Sequence, residues 1–421
     1  MIPVHFWQSA RLKFTAPLRN ERIAAGSAHA DYLGLENIEP WTGRIIQLES
    51  KPDEATDGDA GLANVFREGD VLFGKLRPYL AKACHAPRSG VCSTELLVMR
   101  PAEPLHSKFL LYSLLTPYFV GAVDASTFGA KMPRASWDFI GSLEIRFPPI
   151  ETQSLIANYL DRETARIDGL IAEKERMLAL LEEKRAALVS RVGTRGLDPN
   201  ASLKPSGQEW LGDIPAHWEL CRIKFVATAL DQGSSPIAAN TPASPNELGV
   251  LKLSAVSKGR FKREENKALR EADEQEEAFA LRAGDVLVTR SNTPELVADV
   301  ACVPVDEPTL LLPDLIYRLR VQDGKVLPEY LTYFLATAAA RAQIRRDARG
   351  SSGSMVKVSQ GHVLSWLTLL PPLSEQAEIV GHLQRAEERF RSISRDVSSS
   401  LSLLSERRAA LITPPSPARS R

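Results

Sequence analysis

Apolar side chains recur by alternating threes and fours from Ile379 through Leu383, Ala386, Phe390, Ile393, Val397, Leu401 and Leu404 to Leu411. That period predicts a helix with a coiled-coil seam over residues 374–412. A looser seam of the same kind, Ile156, Leu160, Ile167, Leu170, Met177, Leu181, Leu188 and Val192, predicts a helix over 151–192. Each follows a Pro-Pro pair and opens on Glu151 or on Ser374-Glu375. Proline suits the first turn of a helix and an acid suits its positive end, so both are good starts. At ~1.5 Å per residue each helix would run roughly 60 Å, and the two seams are expected to pair. The stretches ahead of them read as short β-rich runs, such as 71–73 and 286–289, punctuated by Gly, Pro and Asp, with one helix apiece over 107–116 and 328–346.

The chain is written twice. Trp7-Gln-Ser-Ala-Arg11-Leu-Lys13-Phe14 returns as Trp218-Glu-Leu-Cys-Arg222-Ile-Lys224-Phe225. Gly69-Asp70-Val71-Leu72 returns as Gly284-Asp285-Val286-Leu287, and Pro148-Pro149-Ile150-Glu151-Thr152-Gln153 as Pro371-Pro372-Leu373-Ser374-Glu375-Gln376. Lys184-Arg185-Ala186-Ala187-Leu188 returns as Arg407-Arg408-Ala409-Ala410-Leu411. Ordered repetition over such a distance is the mark of an internal duplication whose loops have diverged in length. It predicts an α+β fold: two similar globules, 1–150 and 218–373, each followed by one long helix with a coiled-coil seam, 151–192 and 374–412. Residues 193–217, rich in turn formers, read as a surface connection, and 413–421 as a disordered tail.

Composition changes this picture little. The 421 residues, 44% hydrophobic and 25% charged, suit several folded domains and exclude wholesale disorder. Lys plus Arg and Asp plus Glu both number 52, so any attraction for nucleic acid must come from local patches. Cys84, Cys92, Cys221 and Cys302 form no CxxC pair, which points to a reducing cytoplasm. No charged start followed by an apolar run signals export, and no apolar stretch reaches the ~18 residues of a membrane span.

The sequence holds no GxxxxGK[ST] phosphate loop, no GxGxxG after a strand, no HExxH, no GxSxG and no Asn-Pro-Pro-aromatic tetrapeptide. Pro313-Asp314 with Asp323-Gly324-Lys325 imitates a nuclease metal site. Asp323-Gly324 reads better as a hairpin turn between apolar strands at 315–321 and 326–327. Cys84-His85 with Cys92 lacks a fourth metal ligand. Charge placement says more. From Val71 to Thr94 the chain carries Lys75, Arg77, Lys82 and Arg88 without an acid, and Lys75, Arg77, Tyr79 and Lys82 share one Gly- and Pro-containing segment. The matching segment of the second half holds Arg290-Ser291-Asn292-Thr293, side-chain types that pair with guanine and adenine edges. A second basic run, Arg341, Arg345, Arg346, Arg349 and Lys357, spans Gly350-Ser-Ser-Gly-Ser354 and answers to Phe128-Gly129-Ala130-Lys131-Met132-Pro133-Arg134. Candidate DNA contacts are therefore Lys75, Arg77, Tyr79, Lys82, Lys131 and Arg134 in the first half, and Arg290, Ser291, Asn292, Arg349 and Lys357 in the second.

With these landmarks the chain resembles the specificity subunit of type I restriction-modification systems. Pro205-Ser-Gly-Gln-Glu-Trp210-Leu-Gly-Asp-Ile-Pro215-Ala-His-Trp218-Glu219 is very like the phrase that opens a half in that family. Gly69 to Tyr79, Ser93-Thr94-Glu95-Leu96 and the two Pro-Pro-x-x-x-Gln helix starts support it. The resemblance covers nearly the whole chain, which departs mainly at its start, where Trp7 lacks the preceding phrase. It implies two target recognition domains in pseudo-two-fold relation, separated by the two long helices as an antiparallel coiled-coil spacer, that read the unlike halves of a split, asymmetric DNA site about one helical turn apart, ~34 Å. It also implies a subunit without catalysis or cofactor of its own. Its partners would be double-stranded DNA, two copies of an adenine methyltransferase subunit using S-adenosylmethionine, and motor-nuclease subunits using ATP and Mg2+. Partner docking is expected at the helix bases near Gln153 and Gln376. A coiled-coil scaffold without DNA binding, or a nuclease built on Asp314, Asp323 and Lys325, are the alternatives.

Overall fold

The computed structural model describes residues 7–24, 31–46, 49–50, 62–129, 131–269, 279–352 and 355–413. The expected disordered tail, apart from Thr413, lies outside the described residues. The chain mixes helices and strands and divides into two compact units, residues 1–175 with 398–421, and residues 176–397. Each unit thus takes a stretch of both long helices together with its globule.

The Gly-Asp-Val-Leu segment forms the central strand of a small antiparallel sheet in both units. In the first, Val71–Gly74 lies between Ala83–His85 and Leu96–Met99. In the second, Val286–Thr289 lies between Val300–Cys302 and Ile316–Val321, with Ala227–Gln232 beyond the latter. Gly69 and Gly284 take φ values of 86° and 83°, which glycine adopts without strain, and turn the chain into these strands. The buried Asp beside each then accepts a backbone N–H and an arginine fork. Asp70 receives Arg67 N and Arg19, and Asp285 receives Arg282 N and Arg320. A second sheet of five strands completes the first globule and one of four the second. The ends of each globule are tied by an antiparallel pair, Gln8–Arg11 with Glu144–Phe147 and Glu219–Arg222 with Leu367–Leu370.

The long helices run Ile150–Arg195 and Leu373–Ile412. Leu160 and Ile412 are buried in the core of the first unit; Val189, Val192, Ile379, Val380 and Leu383 are buried in that of the second. In each unit the beginning of one long helix therefore shares a core with the end of the other. The seam is buried near the globules, whereas Leu170, Met177 and Ile393 stay more than a third exposed.

Three expectations need correction. Residues 328–346 form two helices, Pro328–Leu335 and Ala338–Asp347, because the Thr337 side chain accepts Ala340 N and starts a new helix. The first globule repeats the break: Thr116 accepts Phe119 N and caps Pro117–Ala125. Val326-Leu327 is no strand, since Leu327 precedes the first turn of Pro328–Leu335. Residues 193–217 are more than a connection, because Leu203–Pro205 pairs with Asp213–Pro215 and Leu211 and Ile214 join Trp218 in the core.

Gln153 and Gln376 are themselves wholly buried. Gln153 accepts His106 N at 2.8 Å and donates to Pro104 O and Pro148 O, both at 2.8 Å. Gln376 accepts Leu327 N at 2.8 Å and donates to Lys325 O at 3.1 Å and Pro371 O at 2.9 Å. A buried amide with two donors and an acceptor satisfies three main-chain groups at once, and so clamps each long helix to the start of a globular helix.

Candidate nucleic-acid interface

The strand Val71–Gly74 ends at Lys75, whose N–H donates to Glu95 O at 3.0 Å and whose C=O accepts Ala135 N at 3.0 Å. Leu76 then bridges Arg134, and Arg77 N donates to Pro133 O at 2.8 Å. The two basic segments of this half, far apart in sequence, are thereby joined into one ribbon. The second unit repeats the arrangement bond for bond. Arg290 N donates to Leu315 O at 2.8 Å, Val358 N donates to Arg290 O at 3.0 Å, Ser291 pairs with Lys357, and Asn292 pairs with Val356. Lys75 thus answers to Arg290, Arg77 to Asn292, and Arg134 to Lys357. Ala135 and Val358, the residues that anchor the return strand, are both buried.

On this matched frame the side chains differ. Arg77 and Tyr79 are exposed, and Arg77 takes a φ of 49°. A left-handed arginine costs about 1–2 kcal/mol, strain of a kind that collects at functional positions. Lys131 is exposed on the return segment, and Arg134 forks onto Glu95 at 3.1–3.2 Å while keeping about two fifths of its side chain accessible. In the second unit Lys357 is exposed and Asn292 half-buried, its Oδ1 accepting Thr293 N at 2.9 Å. Arg290 is half-buried beside Tyr317, whose phenol donates to Val358 O at 3.2 Å. Burial pushes the Tyr317 phenol up, and the Arg290 guanidinium pulls it part of the way back. The backbone of Arg349 pairs with Lys357; its side chain lies outside what is described.

Two expected contacts are removed by their surroundings. Lys82 Nζ donates to Leu35 O at 2.6 Å, so its charge is spent inside the globule. Ser291 is buried, with a hydroxyl that meets no partner, and cannot reach a base. Arg341 is likewise committed to Ala298 O and Glu295 O. The apolar members of the ribbon are what sequence reading missed. Met132 and Met355 occupy corresponding positions and are both about half exposed, as the repeated Met-Pro and Met-Val ahead of the paired cation signal.

Residues that imitate catalytic sites find structural uses. Pro313-Asp314 stands where the first unit has Ser93-Thr94, in the turn before a sheet strand, and Asp314 N donates to Ser234 O. Asp323 and Lys325 sit in an exposed turn closed by Lys325 N on Gln322 O. Among the described residues no group of three or more His, Cys, Asp and Glu is placed to hold a metal ion. Cys84 and Cys92 are buried free thiols whose pKa values burial pushes up. Among the described residues no helix is long and apolar enough to cross a membrane.

No protein-family model matches the chain. It is 27% identical over 315 residues to the type I restriction enzyme EcoKI specificity subunit of Escherichia coli K12, a match covering 72% of this chain and 63% of that protein. It is also 27% identical over 401 residues to the EcoEI specificity subunit of Escherichia coli, covering 76% of this chain and 67% of the other. The MjaVIII specificity subunit of Methanocaldococcus jannaschii is 22% identical over 303 residues, 70% of this chain and 67% of that one. The match therefore spans under two thirds of the EcoKI subunit's length. Among solved structures, a chain from a study of complex assembly and conformational transition in the type I R-M system superposes with a TM-score of 0.71 over 96% of both chains at 19% identity, a likeness of fold.

Proposed function

We infer that this chain, a member of the specificity-subunit family of type I restriction-modification systems, is the DNA-reading and non-catalytic subunit of such an enzyme. The observation that carries the reading is the ribbon built twice on identical main-chain bonds with unlike side chains. A repeated frame with divergent tips is what two readers of one asymmetric, bipartite site require. The frame fixes how each tip meets a groove, while Arg77 and Tyr79 on one tip and Arg290 and Asn292 on the other meet different base edges. Lys75, Lys131, Arg134, Arg349 and Lys357 supply the phosphate contacts that set register.

In this reading each globule is a target recognition domain and the two long helices are the antiparallel spacer between them. The partners are two modification subunits, which methylate adenine with S-adenosylmethionine, and motor-nuclease subunits, which use ATP and Mg2+. The complex works in the cytoplasm, where its DNA substrate is.

The test is to express the chain with a type I modification subunit of its own genome in a host lacking such systems, and to map modified adenines by single-molecule sequencing. Methylation at one bipartite, asymmetric motif, absent without this chain, is expected. A stable complex with an intact modification subunit that marks no motif would overturn the reading in favour of a scaffold.

A further inference from the structure

Phe14 and Phe225 stand at corresponding places in the two halves, and neither has a role in a core. Phe14 is 71% exposed and Phe225 61%, although the residues two before them, Leu12 and Ile223, are fully buried. Both phenyls ride on rigid turns. Leu12 N donates to Leu143 O and Lys13 N to Gly141 O, both at 2.9 Å, and Ile223 N donates to Trp366 O at 2.8 Å. A cation covers each ring: Lys13 Nζ lies 5.2 Å from the Phe14 centroid, and Lys224 Nζ 4.9 Å from that of Phe225. Arg11 and Arg222, three residues before each phenyl, are also exposed. Among the described residues none of these four cations forms an ion pair.

The base-reading tips have diverged, as readers of unlike half-sites must. This face has not. Packing accounts for a buried residue kept in both halves, but an exposed phenyl under an unpaired cation, with a second exposed cation three residues before it, kept in both, answers to something outside the chain. Because the chemistry is the same twice, its occupant comes in two identical copies. The DNA backbone is also the same in both half-sites, but it offers phosphates and no apolar socket for a phenyl ring. An aromatic anchor on a preorganised turn, covered by a lysine, is instead the form of a protein–protein hot spot.

We propose that Arg11-Lys13-Phe14 and Arg222-Lys224-Phe225 are two equivalent docking sites for two copies of one protein partner, whose surface presents an apolar socket rimmed by carboxylates. The proposal rests on the function inferred above, which supplies such a partner in the modification subunit.

Native mass spectrometry of the chain co-expressed with that subunit tests it. The wild-type chain is expected to carry two copies, F14A and F225A one copy each, and the double variant none, with at least tenfold weaker capture at each lost site. K13E and K224E are expected to act in the same direction, by setting an acid against the rim. Thermal melting and DNA binding by the chain alone should be unchanged in F14A/F225A, because both rings are exposed. A double variant that still carries two copies would overturn the proposal. So would one that keeps both copies and loses DNA affinity, which would assign the face to DNA. A wild-type chain that captures no modification subunit would overturn the inferred function, and this proposal with it.

Discussion

The guanidinium of Arg408 lies against the carboxylate of Asp168, with Nε 2.7 Å from Oδ1. Its Nη1 and Nη2 donate to Trp41 O and Thr42 O, each at 3.0 Å, in a turn where Trp41 and Gly43 have φ values of 64° and 80°. Arg185 does the same in the second unit. It pairs with Glu387 and donates through Nη2 to Lys258 O at 2.8 Å, again in a left-handed turn, with Lys258 and Gly259 at φ values of 52° and 80°. Each arginine is the second basic residue of the repeated Lys/Arg-Arg-Ala-Ala-Leu phrase. In both units the end of one long helix is thus riveted to the other long helix and to a globular turn.

Removing one rivet should weaken its own unit. The side chains of Arg408 and Asp168 are only 9% and 10% exposed, so R408A leaves two carbonyls without their donor and a buried acid with only Arg44, 3.7 Å away, as a partner. Breaking such a pair costs about 3–5 kcal/mol. Hydrogen exchange should show protection lost around residues 41–44 and 160–168 in R408A, and around 256–260 and 385–388 in R185A. Loss of protection spread over both units by either variant would contradict this.

Substitution of the clamping glutamines distinguishes hydrogen bonding from shape. Q153E keeps the size of the side chain but turns a buried amide donor into a carboxylate facing Pro104 O and Pro148 O. It should destabilise the chain by about 1–3 kcal/mol or more in urea. Q376E should act likewise on the second unit, and wild-type stability in both would remove the clamp from the account.

The base-reading tips predict one-sided effects. R77A should relax or weaken recognition at one half-site, and R290A or N292A at the other, each by about 1–3 kcal/mol, scored from DNA panels in which one half-site is varied. Relaxation of the same half-site by R77A and R290A would be incompatible with two readers. K131A and K357A should instead lower affinity for all sequences and flatten the slope of log K against log salt by roughly 1.

The thiols predict a pH response. Burial raises Cys92 and Cys302 to about 12, so the neutral thiol persists far above the ordinary cysteine pKa. At pH 8 both should resist alkylation in the native chain and react only on unfolding. Rapid native labelling of either would show that its strand opens.

Much of this was legible in the sequence, because a 3.6-residue period and an internal repeat are one-dimensional signals. The long helices emerged within a few residues of their observed ends, Ile150–Arg195 and Leu373–Ile412. The ribbon's partnership was not legible, since nothing local says that Arg77 N reaches Pro133 O or that Asn292 pairs with Val356. Position in sequence also concealed burial: Ser291 and Lys82 have the chemistry of contact residues but spend it inward. The break at Thr337 was readable in principle, since Thr before a helical run is a capping signal, but the apolar period on either side of it hid the stop.

Asp168 and Glu387 do not occupy corresponding places in the two helices; Glu387 aligns with Thr164, one turn away, which accepts from or donates to Tyr112 as Glu387 accepts from Tyr333. The acid has moved along its helix while the arginine has stayed. What stayed constant with the arginine is its grip on main-chain carbonyls in a left-handed turn, a target written in backbone shape and not in side chains. A globule with a different sequence but the same turn would offer the same handhold, so the joint is indifferent to what the globule reads.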